Sequence, residues 1–210
     1  MKTIFTILFS IFIMSSSGTD SKYLDAMSSA IEKMNSSETI YNLTIAANTF
    51  ERISSSEKDK WLPLYYAAYS YIQISYQEQD LLKKDPYLDK AQKFIDKALK
   101  IAPEESELFA LQAFLYPSRM TVDPMARGME YMGIMNQTLD KSIELNPENP
   151  RSYYLRAIIL LNMPESFGGG ANVAKPLFEK AQEKFNKFKL ATSISPNWGK
   201  EHNELELNKL

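Results

Sequence analysis

Four methionines, Met125, Met129, Met132 and Met135, follow one another at intervals of three or four residues. On a helix this spacing places their thioethers along roughly one face. Thioethers so arranged in an exported protein could hold Cu(I), a soft ion that favours soft donors. Methionine is also the commonest filler of irregular gaps between packed helices, and gap filling is the expectation for this stretch. A second candidate is Phe167-Gly168-Gly169-Gly170, whose backbone amides could wrap an anion at the start of the helix that follows. No strand precedes it and no Gly-Lys-Ser/Thr follows, so it is not a phosphate loop of the nucleotide-binding kind. A tight connection between two helices, with positive φ angles at glycine, is the expectation there.

The remaining reactive side chains are scattered. His202 is the single histidine and there is no cysteine, which excludes zinc sites of cysteine or multi-histidine type and excludes disulfides. The serines have no glycine elbow and no matched histidine. Glu104 and Glu105 stand at the start of a helix, where carboxylates favour the helix dipole. These residues predict a protein that is not an enzyme and that carries no cofactor and no metal.

The elements that would position any site are helical. Hydrophobic residues make up 44 % of the 210 and aromatics 12 %, which excludes a disordered chain. Glycines number 7, and alternating β-branched runs are almost absent. A net charge of −2 without a long basic block gives nucleic acid no electrostatic footprint. Periodicity and capping signals predict helices at about 22–34, 38–54, 58–77, 85–101, 104–116, 124–144, 150–162 and 171–188. The expected cap of the second is Ser36 or Ser37, and loops are expected at 117–123 and 164–170. A polar capping segment at 195–210 completes the chain.

One spacing recurs through these helices. Ala91-x3-Ile95-x2-Ala98-x4-Pro103 returns as Met135-x3-Leu139-x2-Ser142-x4-Pro147, and again, without proline, as Ala174-x3-Phe178-x2-Ala181. Six residues after each proline begins a second pattern, Phe109-x3-Ala113-x2-Tyr116 and Tyr153-x3-Ala157-x2-Leu160, matched earlier by Leu64-x3-Ala68-x2-Tyr71. A helix–turn–helix unit of this kind cannot bury its own apolar face and must stack on neighbours. The expected fold is therefore all-α, one domain over 19–210, a solenoid of about four helix pairs.

These motifs resemble the tetratricopeptide repeat, over about 58–188. Gln112, Arg156, Ser142 and Met135 depart from that family's consensus, and the intervals from Ala98 to Ser142 and from Ser142 to Ala181 exceed the usual ~34 residues. In tetratricopeptide proteins the first helix of each pair lines a concave face. The resemblance therefore implies that Tyr65, Tyr69, Phe114, Tyr154 and Ile158 face a groove that takes a peptide or protein partner. Phe167-Gly168-Gly169-Gly170 leading into Ala174 and Phe178 also resembles a loop of the T component associated with some periplasmic solute transporters. That implies an alternative function, a small-ligand-binding accessory of a transport system, which would need an enclosed cavity.

Lys2, the apolar run at 4–14 and the small residues Ser15-Ser16-Ser17-Gly18 have the order of a secretory signal peptide, and the run is too short to span a bilayer. The expectation is a signal peptide over 1–18 and an exported, periplasmic or secreted protein with no stable membrane insertion after cleavage. N-terminal sequencing of the exported protein should find its first residue near Thr19; a chain still beginning at Met1 would overturn this.

Overall fold

The structure, a computed structural model, describes residues 17–210. The apolar run expected to be a signal peptide lies outside the described residues. Nine α-helices are present among them, and no strand: α1 (Ser17–Asn35), α2 (Ile40–Ser56), α3 (Leu62–Gln77), α4 (Leu81–Ile101), α5 (Ser106–Val122), α6 (Pro124–Leu145), α7 (Pro150–Asn162), α8 (Ala171–Lys187) and α9 (Lys200–Leu207). The fold is an all-α, solenoid-like stack. Helices α1 and α2, α3 and α4, α5 and α6, and α7 and α8 pack as pairs, and α3, α5 and α7 form an inner row in which α5 touches both α3 and α7.

The recurring spacing marks the faces that meet. Ala91, Ile95 and Ala98 of α4, Met135, Leu139 and Ser142 of α6, and Ala174, Phe178 and Ala181 of α8 are all fully buried. On the inner row Ala68, Ala113 and Ala157 are equally buried, and their small side chains let the partner helix approach. Ser142 extends the repeat with polar chemistry. Its hydroxyl meets Ser152 Oγ at 2.7 Å, while Ser106 Oγ donates to the Ser142 carbonyl and accepts from Asn149 Nδ2, both at 2.9 Å. Buried hydroxyls need such partners, so the three serines hold α5, α6 and α7 in register.

Four local expectations are corrected. Thr39, not Ser36 or Ser37, caps α2, accepting from Asn42 N at 3.2 Å. Helix α4 begins four residues before Asp85, capped by Asp80, whose side chain accepts from Leu82 N at 3.0 Å. The loop expected at 117–123 is mostly helix, because α5 continues through Pro117 to Val122. Proline removes one backbone donor and strains the preceding turn, but ion pairs hold the extension in place. Arg119 Nη2 reaches Asp89 at 2.6 Å and its Nη1 reaches Asp85 at 3.2 Å, while Arg127 of α6 meets Asp85 at 2.8 Å. The polar tail contains a further helix, α9, whose Asn203 donates to the Phe178 carbonyl at 3.2 Å and to Gln182 Oε1 at 2.9 Å.

The connection at 164–170 has the expected character. Gly168 and Gly170 have φ of 84° and 98°, and the Gly170 amide donates to the Leu160 carbonyl at 2.7 Å. A Cβ at Gly169 would lie 2.1 Å from the Met163 carbonyl oxygen. The chain turns here by backbone approach that only glycine permits.

Ala113→Leu should overpack the inner row and lower stability by about 1–3 kcal/mol. Thermal melting of the purified variant checks this, and an unchanged midpoint would show that the pairing face is elsewhere.

Candidate functional site

The inner row brings Tyr65, Tyr69, Phe114 and Tyr154 to one side of the stack, and that side is covered. Residues 188–199, between α8 and α9, cross it as a strap with a turn at 192–195, where the Ser195 amide donates to the Thr192 carbonyl at 3.2 Å. Ile194 and Pro196 are buried and Trp198 is half-buried, while Asn197 is exposed. Three directed hydrogen bonds seat the strap. Tyr66 donates its hydroxyl to the Ile194 carbonyl at 2.9 Å, Arg151 Nη2 donates to the Pro196 carbonyl, and Trp198 Nε1 donates to the Tyr65 hydroxyl at 2.7 Å.

Trp198 is the centre of the aromatic contacts. Its ring stacks on Phe114 with centroids 5.1 Å apart, lies 5.4 Å from Tyr69, and meets Tyr154 edge-on at 6.4 Å. Burial pushes the Tyr69 phenol up to about 12 and raises the Tyr65 and Tyr154 phenols well above their ordinary range, so these groups stay protonated and serve as hydrogen-bonding groups. His202 Nδ1 lies 3.0 Å from the Tyr154 hydroxyl, which gives the lone histidine a structural partner. Gly199, with φ of 96°, turns the strap into α9. A Cβ there would meet the Phe185 ring at 3.1 Å and the Tyr154 ring at 3.4 Å.

Beneath the strap, Arg151 is 1 % exposed. Its Nη1 meets Glu107 Oε1 at 2.7 Å, and its guanidinium lies 5.0 Å from the Phe188 ring centroid and 5.4 Å from that of Trp198. The pair is single-pronged, since Glu107 Oε2 and Arg151 Nε find no hydrogen-bond partner in the protein. Burial therefore outweighs the attraction of Arg151, with Glu105 adding repulsion, and the Glu107 carboxyl rises to about 7.

Beside the strap a cleft of about 580 Å³ opens between the end of α5, the start of α6 and the end of α7. Its lining includes Tyr76, Phe114, Met132, Met135, Tyr154 and Ile158, with Pro117 and Met120 from the extension of α5. The Tyr76 and Phe114 rings stack at 5.1 Å, and the Tyr76 hydroxyl donates to the Phe114 carbonyl at 3.0 Å. A continuous stack thus runs from Tyr76 through Phe114 to Trp198, from the cleft into the strap. Asn162 and Thr121 are the polar residues of a lining that has no charged side chain.

Of the five residues expected at a partner groove, Phe114, Tyr154 and Ile158 line the cleft, while Tyr65 and Tyr69 lie under the strap. Tyr76, Trp198, Arg151 and Glu107 were not expected. A tryptophan isolated in a polar tail was the available signal, because tryptophan is highly buried on average. The four methionines do not converge: Met125 and Met129 are 95 % and 86 % exposed, whereas Met132 and Met135 line the cleft. Among the described residues no group of three or more His, Asp or Glu side chains is placed to hold a metal ion. No helix among them is long and apolar enough to cross a membrane.

The sequence profile of the regulator of microtubule dynamics protein 1–3 family matches residues 24–164. The chain belongs to this family. The matched span takes in α2 to α7 whole, most of α1 and the entire lining of the cleft. Among solved structures, the fold is similar to the HusA haemophore from Porphyromonas gingivalis, with a TM-score of 0.80 and 28 % identity, covering 88 % of this chain and 90 % of that one. No curated protein matches the sequence. Membership of the microtubule-dynamics-regulator family corrects the resemblance to tetratricopeptide repeats and to the transporter T component. The shared spacing is what any antiparallel helix pair needs in order to stack, a small residue beside larger apolar ones, and so it does not single out one family.

Glu107 also sets a pH dependence. Glu105, Arg151 and the hydroxyls of Tyr65 and Tyr66 are the ionisable groups that act on it. Its carboxyl binds a proton more readily in the folded state than in the unfolded state, where it titrates near 4.5. Its contribution to stability is thus fully present below about 4.5 and is lost as pH rises through about 7. Chemical denaturation of the wild-type chain at pH 5.5 and pH 8 should show this loss, and Glu107→Gln should remove it. An identical pH slope in the variant would overturn the assignment.

Proposed function

We propose that this chain is an exported, non-catalytic binding protein whose cleft takes a flat, apolar ligand of the haem class. The observation that carries the reading is the cleft itself. It has an apolar, aromatic lining of the size that small-molecule sites have, about 300–1,000 Å³, in a fold similar to a haemophore over nearly the whole of both chains. Stacked Tyr76 and Phe114 offer a flat face, and the half-buried Ile158 and Met132 supply adaptable apolar contact.

The donor set fits such a ligand in a particular way. The lining holds no histidine, cysteine or carboxylate, so the groups able to meet an iron are the methionine thioethers and the phenols. Both phenols are already engaged, Tyr76 with the Phe114 carbonyl and Tyr154 with His202. Binding would therefore rest chiefly on the buried macrocycle face. Any carboxylates of the ligand would stay at the mouth, in water, because the lining supplies no cation.

The leading expectation from the sequence, a peptide or protein adaptor, needs an open concave groove, and the small-ligand accessory was its alternative. The strap now fills that face, with Trp198 against Tyr69 and Phe114. The cleft is left as the apolar concavity open to a ligand, which favours the small-ligand reading. The N-terminal sequence pattern is what supports the export part of this reading.

Titration of the mature protein with haemin should give a saturable change in the porphyrin absorption band. Ile158→Glu places a carboxylate in the apolar lining and should weaken binding by at least about tenfold, with a melting temperature near that of the wild type because Ile158 is only half-buried. Binding that is absent from the wild type, or unaffected by the variant, would refute the reading.

A further inference from the structure

The strap and the cleft share a wall. Phe114 and Tyr154 line the cleft on one side and contact Trp198 on the other, Phe114 by stacking at 5.1 Å and Tyr154 edge-on at 6.4 Å. A planar side chain keeps its orientation only while both faces are packed. Removing Trp198 would leave a void behind both rings and loosen them, with Phe114 then held by Tyr69 and Tyr76 and Tyr154 by Phe185 and His202.

The strap is also the least tied part of this wall. Residues 189–193 are exposed, and between Phe188 and α9 the strap is held by three hydrogen bonds, at residues 194, 196 and 198, together with the packing of Ile194 and Trp198. Two of those bonds use backbone carbonyls and accept from Tyr66 and Arg151. A short segment whose anchors are gathered at three residues opens at lower free energy than the helices beneath it. On the far side of the strap α9 is fixed separately, through Asn203 to α8 and through His202 to Tyr154. The strap can thus lift between two fixed ends.

We propose that Trp198 is a positioning residue for the cleft: the seated strap backs Phe114 and Tyr154, and ligand retention depends on its being seated. This rests on the cleft being the ligand site, as proposed above. The coupling is reciprocal, since a ligand that presses on Phe114 and Tyr154 stabilises the packing of Trp198 and so holds the strap down. Trp198 does not touch the ligand in this arrangement. It acts through the two rings.

The test uses the mature full-length chain as wild type, Trp198→Ala and Trp198→Phe. Amide hydrogen exchange without ligand is the first measurement. In Trp198→Ala, exchange should accelerate in 114–121 and 154–163, by about tenfold, while α1 and α2 keep wild-type rates. Haemin dissociation is the second. It should be faster by about tenfold in Trp198→Ala and within about threefold of wild type in Trp198→Phe, which keeps a ring against Phe114. Wild-type exchange rates at the cleft in Trp198→Ala would overturn the proposal. So would acceleration spread evenly over all helices, which would make Trp198 a residue of general stability. Should haemin fail to bind the wild type, the haem reading falls, and the exchange measurement still decides whether strap and cleft are coupled.

Discussion

A single buried guanidinium holds the two halves of this molecule's architecture together. Arg151 comes from the first turn of α7, yet it bonds Glu107 at the start of α5, the Pro196 carbonyl of the strap, and lies against the rings of Phe188 and Trp198. Desolvating such a charge costs several kcal/mol, and removing one partner of a buried pair costs about 3–5 kcal/mol. Its position is therefore conditional. With the strap in place, Arg151 has a carboxylate, a carbonyl and two aromatic faces. Without the strap, it keeps Glu107 alone. The burial of one cation thereby favours the closed concave face over an open one.

The same constraint explains the chemistry of α3. Twelve of its 16 residues are buried, and its sequence LPLYYAAYSYIQISYQ has no charged side chain. A surface helix carries one apolar stripe, whereas a helix apolar all round is buried on every side. Helix α4 packs on one side of α3, α2 and α5 on its flanks, and the strap on the remaining face. An open groove would leave Tyr65, Tyr66 and Tyr69 facing water. The tyrosines resolve the conflict between an apolar wall and a polar strap backbone, because each offers a ring for packing and a hydroxyl for bonding.

Much of the fold could be read from local spacing. Ala91, Ile95 and Ala98 announced the buried face of α4, and Ala174, Phe178 and Ala181 did so for α8, because helical period alone decides which side chains share a face. Asn149-Pro150 marked the start of α7 by capping and by proline at the first position. The contacts that close the concave face could not be read in this way. Arg151 meets a carboxylate 44 residues away and a carbonyl 45 residues away, and Trp198 meets a hydroxyl 133 residues away. Such contacts depend on how the stack curves, which no local pattern encodes. Pro117 misled for a related reason: its local preference is to end a helix, and Asp85, supplied by another helix, overrides it through Arg119. The uncharged sequence of α3, which the repeat resemblance set facing a groove, itself favours burial on every side.

The long repeat intervals bear on the cleft as well. The extra residues between Ala98 and Ser142 prolong α5 to Val122 and give α6 its 22 residues, instead of forming a loop. The pair is longer than the one that follows it: α5 has 17 residues against 13 in α7, and α6 has 22 against 17 in α8. It supplies Pro117, Met120 and Thr121 from α5 and Pro124 and Met132 from α6, which face the end of α7 across the cleft. A regular stack of equal pairs would end flush at this edge and present no such wall. The cleft stands where α5 and α6 meet the shorter α7, braced by Asp85 between Arg119 and Arg127. Its floor is set from the opposite direction, by Trp198 behind Phe114. The site therefore stands where the irregularity of the repeat meets the segment that closes it. A fold built of near-equivalent helix pairs needs both departures to make one apolar concavity at one place.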